Sequence, residues 1–158
     1  MLDVGGEYFI DRANARLYFI PPEGVGSTHL SSAFISVANS SCVVKDVSKV
    51  TFRGILFGFT KGTAVSLQNV SDFHVENCTI GNSGSNGLQL QGSNSSVRNS
   101  HVFGTGCTAI RIEGGDQLRI TPGNILVQGN VVHDFGRLSR AGRIAAALLW
   151  YGCGAHLD

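Results

Sequence analysis

Apolar and polar residues alternate in short bursts along most of this chain. Leu88-Gln89-Leu90-Gln91 and Ile110-Arg111-Ile112-Glu113 are two of them. A period of two is the mark of a strand with one face buried and the other wet. Gly, Asn, Ser and Asp separate the bursts, which is turn chemistry. The bursts recur at a nearly constant interval. Val75 and Val97, Asn77 and Asn99, Ile80 and Val102, Gly84 and Gly106, Leu88 and Ile110, and Leu90 and Ile112 are all 22 apart. Upstream, Phe52 precedes Val75, Phe57 precedes Ile80, and Val65 and Leu67 precede Leu88 and Leu90, each by 23. Downstream, Val127 follows Val97 after 30. That places an insertion of about eight residues near Leu118–Gly123. Beyond it Val132 matches Val102, Gly136 matches Gly106, and Leu148–Gly152 resembles Ile110–Gly114 after a second extension.

A fixed period in this range predicts a solenoid. Two or three strands in a 22-residue unit leave no room for a crossover helix. Before about residue 138 no apolar i, i+3, i+4 pattern of useful length appears. The expected fold is therefore all-β: a parallel β-helix of roughly four to five coils, stacked at the strand spacing of ~4.8 Å. A β-sandwich of short strands explains the alternation but not the shared offset of Asn, Ile and Gly. The apolar run Ile144–Trp150 can be a strand or a short helix, and its texture favours a strand.

Ahead of the repeats, Glu7–Asp11 and Leu17–Ile20 read as strands of a β-hairpin. Asn14 is the loop residue that tolerates a left-handed backbone, and Pro21-Pro22 ends the hairpin. The hairpin is expected to cap the open end of the coils, and sugar stacking is the alternative role for its four aromatics, Tyr8, Phe9, Tyr18 and Phe19. The organisation is thus 1–32 for the hairpin and linker and 33–158 for the β-helix. Gly24–Ser32 reads as a polar loop, and Ala33–Val37 and Cys42–Lys45 open the first coil. Lys49–Phe52 and Leu56–Phe59 continue that coil, with Phe52, Phe57 and Phe59 expected in the core. Asn77 and Asn99 share a turn slot where their amides are expected to form a ladder, and Asn130 is one place out of line.

Composition narrows the class. Charged residues are only 15% and hydrophobic ones 42%, as suits a solenoid with Gly-, Ser- and Asn-rich faces. The net charge of +1 gives no reason to invoke nucleic acid or a membrane surface. No apolar run is long enough for a transmembrane helix. MLDVGGEYF lacks the basic and apolar regions of a signal peptide. With the chain stopping in mid-coil at Asp158, the expectation is a mature form or fragment, truncated at its C-terminal end. Cys42, Cys78, Cys107 and Cys153 show no CxxC spacing, so no zinc site is expected, and their pairing is open. Cys78 shares its slot with Ser100 and Asn130 and reads as a small residue stacked in a turn.

The fragments VTFRGILF, HVENCTIGNSGSNGLQLQGS, VRNSHVFGTGCTAIRI and VQGNVVHDFG resemble right-handed parallel β-helix repeats of secreted polysaccharide lyases and glycoside hydrolases. GEYFIDRANARLYFIPPEG resembles the hairpin that commonly precedes the helix in that family. The resemblance implies a carbohydrate-active protein, or a fragment of one, acting on or binding an extracellular polysaccharide. It implies an extracellular or cell-surface location; no cofactor is expected. The alternative is a non-catalytic module for glycan binding, tailspike-like adhesion or spacing.

With Leu88 and Leu90 inward, Gln89 and Gln91 point outward, as do Arg111 and Glu113 one coil on. Ser66 and Gln68 precede them, and Leu149 and Tyr151 follow. This ribbon is a candidate substrate-binding track, with Arg137 in the extension beyond it. His133 and Asp134 stand in the turn that leads back toward the ribbon, followed by Arg137, Arg140 and Arg143. His133, Asp134 and Glu113 are the candidate catalytic residues, expected to converge with Arg111. A His with a carboxylate suits general acid–base work, and two carboxylates suit glycoside hydrolysis. No Asp cluster has calcium-loop spacing, so a calcium-dependent lyase site is not expected. The oligomeric state is open.

Overall fold

A computed structural model describes residues 2–24, 34–116, 118–138, 144–153 and 155–157, the last three by backbone alone. Among them all regular structure is strand. Two compact units divide the chain, Met1–Ile35 and Ser36–Asp158.

The first unit holds β1 (Tyr8–Asp11) and β2 (Arg16–Phe19), paired antiparallel with Phe9 opposite Tyr18. Asp11 sets the turn: its carboxylate accepts from the backbone N–H groups of Ala13 and Asn14 and from the Asn14 amide. Those bonds, together with an ordinary position for Asn14, leave Ala15 as the left-handed residue at φ 52°, where Asn14 was expected. All four hairpin aromatics are exposed. Most of the polar loop lies outside the described residues.

The second unit is a parallel β-helix with three faces. Face one carries β3 (Cys42–Lys45), the first half of β6 (Val65–Glu76), β8 (Leu88–Ser93), β11 (Ile110–Gly114) and β14 (Leu148–Gly152). Face two carries β4 (Ser48–Arg53), the second half of β6, β9 (Ser96–Arg98), β12 (Ile125–Gln128) and β15 (Ala155–Leu157). Face three carries β5 (Leu56–Thr60), β7 (Thr79–Ser83), β10 (His101–Thr105) and β13 (Val131–His133). The register is the one the repeat predicts: Leu88 beside Ile110, Val75 beside Val97, Ile80 beside Val102, and Val102 beside Val132. The run at residues 144–150 ends in a strand, with Trp150 beside Ile112. Arg137, whose N–H donates to Thr105, takes the place in the stack that Gly106 holds against Ser83; the expected match to Gly136 is thus one residue early.

The change of interval from 23 to 22 has a visible cause. Between Leu67 and Val70 the pairing of β6 with β8 shifts by one, and Asn69 is the extra residue, at φ 51°. Asp46 holds the matching place one coil earlier, and the Asn69 amide donates to its carboxylate at 2.7 Å. The residues inserted after Gly114 form a protruding loop closed by an antiparallel bridge between Asp116 and Thr121. Leu118 and Ile120 at its tip are 96% and 81% exposed.

Inward positions of the three faces meet in one core. Leu67, Phe73, Val75, Ile80, Leu90, Val97, Val102 and Ile112 are fully buried. Each such side chain contributes about 1.5–3 kcal/mol relative to exposure. Phe57 and Phe52 join this core, Phe52 edge-on to Phe73 at 5.0 Å. Phe59 does not: it is 45% exposed, because its backbone is left-handed and carries the side chain off the inward face. Of the segment Ala33–Val37, expected to open the first coil, Ala33 lies outside the described residues, 34–37 form no strand, and Phe34, Ile35 and Val37 are exposed.

Left-handed residues stack in columns at the corners. Lys49, Asp72, Asn94 and Asn124 form one, with φ between 48° and 58°. Gly54, Asn77, Asn99 and Gly129 form another, and Phe59, Asn82, Gly104 and Asp134 a third. Gly and Asn dominate because other side chains crowd the following carbonyl in this conformation. Asn77 and Asn99 therefore serve the backbone bend, and the expected amide ladder is not what their column holds. An amide-to-amide bond joins Asn124 to Asn94 in the neighbouring column instead. Asn130 bonds the Ser100 N–H and the Val97 carbonyl, taking the role that the Ser100 hydroxyl plays for the Cys78 N–H one coil earlier. Cys78 is the small stacked residue expected of its slot, its thiol against the Phe52 and Glu76 carbonyls.

Candidate functional site

The outward positions of face one line up as the alternation predicts. Ser66 stands beside Gln89, Gln89 beside Arg111, and Arg111 beside Leu149. In the parallel row Gln91 stands beside Glu113 and Glu113 beside Tyr151. Arg111 and Glu113 are two apart on one strand, so their side chains share a face and meet. Arg111 Nη2 lies 2.6 Å from Glu113 Oε1, and Nε donates to the same oxygen at 2.7 Å. The guanidinium also sits 5.2 Å from the ring centre of Tyr151. An Arg over an aromatic face is attracted to the ring quadrupole while its edge keeps free donors.

Beside this ribbon runs a cleft of about 870 Å³, lined by Gln91, Arg111, Glu113, Asp116, Leu118 and Tyr151. A second hollow of about 610 Å³ continues it toward Asp46, Ser71, Ser93 and Arg119. The two share Asn69, Gly92, Gly115 and Asp116, so they form one groove across successive coils. Its floor is glycine: Gly92, Gly114 and Gly152 stack in register. A Cβ on Gly92 would collide with the Val70 carbonyl, and one on Gly152 with the Gly114 carbonyl. The absence of side chains there leaves a flat strip between the ribbon and the inserted loop. That loop is the far wall. Asp116 holds its turn by accepting from the N–H groups of Leu118 and Arg119.

Gln91, Arg111, Glu113 and Tyr151 are thus brought together in one groove. Gln89 shares the face without lining the groove. His133 and Asp134 are placed elsewhere, on face three and at its closing corner, and neither lines the groove. The turn after β13 does run back toward face one, but it leaves His133 directed outward from a different sheet. Arg137 is exposed, and Arg140 and Arg143 lie outside the described residues. Sequence reasoning missed Asn69, Asp116, Arg119 and the glycine floor. The signals were there in the shift of interval from 23 to 22 and in the insertion directly after Gly114, both of which fall on the groove's edge.

Among the described residues, no group of three or more His, Cys, Asp and Glu could hold a metal ion. No helix there is long and apolar enough to cross a membrane.

A family model for right-handed β-helix regions matches residues 23–157. The chain therefore belongs to the right-handed β-helix family, in agreement with the coil stacking and the strand register. No curated protein and no solved structure matches it.

Proposed function

We propose that this β-helix binds an extracellular polysaccharide lengthwise in the groove of face one, at the cell surface or outside the cell. The observation that carries this reading is the shape and lining of the groove. It follows the stacking direction over several coils. A row of side-chain amides, a guanidinium, a carboxylate and a phenol edges it, and its floor is free of side chains. A sugar chain presents hydroxyls at regular intervals and flat apolar ring faces. The first suit Gln91, Arg111 and Glu113, and the second suit Tyr151 and the bare backbone strip.

Catalysis on the same glycan is a second reading, favoured by one observation: Glu113 and Asp116 put two carboxylates in one cleft, as glycoside hydrolysis needs. Binding is the better supported of the two. The Glu113 carboxylate is held by Arg111 and that of Asp116 by two backbone N–H groups, so each already has a structural partner.

A glycan array followed by reducing-end and unsaturated-product assays on the glycans retained tests both readings. Retention without new ends is the expected result. Retention with new ends moves the function to hydrolase or lyase, and no retention of any polysaccharide overturns the proposal.

A further inference from the structure

The outward surface of face three carries a cluster that the groove does not use. His101 and His133 occupy adjacent strands, and their Nε2 atoms face each other at 2.7 Å. On its other side His133 Nδ1 lies 2.9 Å from Asp134 Oδ2. Phe103 organises the pair. Its ring lies over Gly81, where a Cβ would come within 2.7 Å of it. His133 stacks on that ring at 5.5 Å with planes 12° apart, and the His101 ring centre is 4.8 Å from it. Asp134 is fixed by the left-handed corner column, at φ 52°.

Donor and acceptor roles follow from these contacts. With His133 neutral, Nδ1–H donates to the Asp134 carboxylate, so Nε2 bears a lone pair and accepts from Nε2–H of His101. A carboxylate on the far nitrogen is the arrangement that orients a metal-binding imidazole and raises its basicity. If the His101 proton moves to Nδ1, both Nε2 atoms carry lone pairs and face each other across the gap. The rings now meet nearly head-on, with centroids 4.9 Å apart. A tetrahedral zinc ion at about 2.05 Å from each nitrogen needs the nitrogens about 3.3 Å apart, with each ring swung by roughly 35° off the line that joins them. His133 is exposed and His101 half-buried, and with Phe103 packed beside both, the rings keep solvent on their outer side to move into.

We propose that His101 and His133 form a two-imidazole site for a divalent transition-metal ion, with water completing the coordination and Asp134 as a positioning residue. The ion would bridge β10 and β13 and so tie the inserted coil to the regular one before it. Imidazole pairs suit Zn²⁺, Ni²⁺ and Cu²⁺ and not Ca²⁺ or Mg²⁺.

Zn²⁺ titration by calorimetry on the whole chain, with Cu²⁺ electron paramagnetic resonance to count bound nitrogens, tests this. The expected result is a Zn²⁺ affinity that falls at least tenfold in His101→Ala and in His133→Ala and is unchanged in His74→Ala. The Cu²⁺ signal of the parent chain should show two imidazole nitrogens, and that of each single variant one. Asp134→Asn keeps a residue that tolerates the corner backbone and removes only the charge. It should weaken Zn²⁺ roughly 10-fold or more while leaving two nitrogens on Cu²⁺. Far-ultraviolet circular dichroism identical to that of the parent shows that a variant is folded. Zn²⁺ affinity unchanged in either single His variant, or a one-nitrogen Cu²⁺ signal from the parent chain, overturns the site.

Discussion

Arg111 and Glu113, two residues apart on β11, meet at 2.6 Å on the outward face of the first sheet. Their side chains are 36% and 24% exposed, so solvent screens the pair, and partly exposed ion pairs contribute at most about 1 kcal/mol. Glu113→Gln is therefore expected to change unfolding free energy by less than about 1 kcal/mol in urea titration. Its larger effect should be on glycan retention, because Arg111 loses the partner that aims it. A stability loss of several kcal/mol would make Glu113 a structural residue.

A second ion pair has a pH signature. Arg53 Nη2 lies 2.6 Å from Glu76 Oε2, and this hydrogen bond holds the Glu76 carboxyl below its ordinary value of 4.5. A lowered folded-state value means that the unfolded chain binds the proton more readily. The contribution to stability is therefore present above 4.5 and fades as pH falls through the lower folded-state value. Thermal unfolding of the parent and Glu76→Gln should differ at neutral pH and converge in acid. A gap that stays constant down to strongly acid pH would contradict this.

The corner columns make a stability prediction with a sign. Lys49 and Phe59 adopt the left-handed backbone at φ 58° and 57° in columns where Asn, Asp or Gly otherwise stand. A side chain with a Cβ costs about 1–2 kcal/mol there. Lys49→Gly is expected to stabilise the coil by up to about 1 kcal/mol, since glycine gives some of that gain back as chain entropy. Gly129→Ala should do the reverse, because at φ 64° its Cβ would also collide with the Asn99 side chain. Denaturant midpoints of the two variants should move in opposite directions.

Inside the stack, the Ser100 hydroxyl accepts from the buried N–H of Cys78 at 3.1 Å and donates to the Arg98 carbonyl at 2.9 Å. Ser100→Ala leaves that N–H without a partner and is expected to cost about 1–3 kcal/mol. Amide hydrogen exchange should show the Cys78 N–H losing protection. Ser100→Asn should be milder, because Asn130 holds the equivalent place by such an amide.

The fold was legible because burial acts with period two and stacking acts with period 22, so each inward Leu, Ile or Val is seen twice in the sequence. Pairings such as Leu90 with Ile112 and Val75 with Val97 follow from that. Backbone conformation was harder to read. Asn77 and Asn99 sit at their corner for a left-handed φ, which composition does not separate from an amide ladder. Phe59 occupies the same kind of corner against its own preference, so its hydrophobicity misled. Half of the groove was visible, since alternation orients Arg111, Glu113 and Tyr151. The other half depends on an irregular loop and on Asn69, and no periodicity reports where a loop folds back. His133 and Asp134 do meet, yet on face three, because one intervening strand turns the chain away from Arg111.

The groove of face one is the proposed seat of the glycan. The most direct measurement is affinity electrophoresis of the parent chain, Arg111→Ala/Tyr151→Ala and His101→Ala/His133→Ala in the polysaccharide best retained on the array. The groove account predicts strong retardation of the parent, near loss of it in the Arg111 and Tyr151 variant, and full retardation of the His variant. Full retardation of the Arg111 and Tyr151 variant would contradict it.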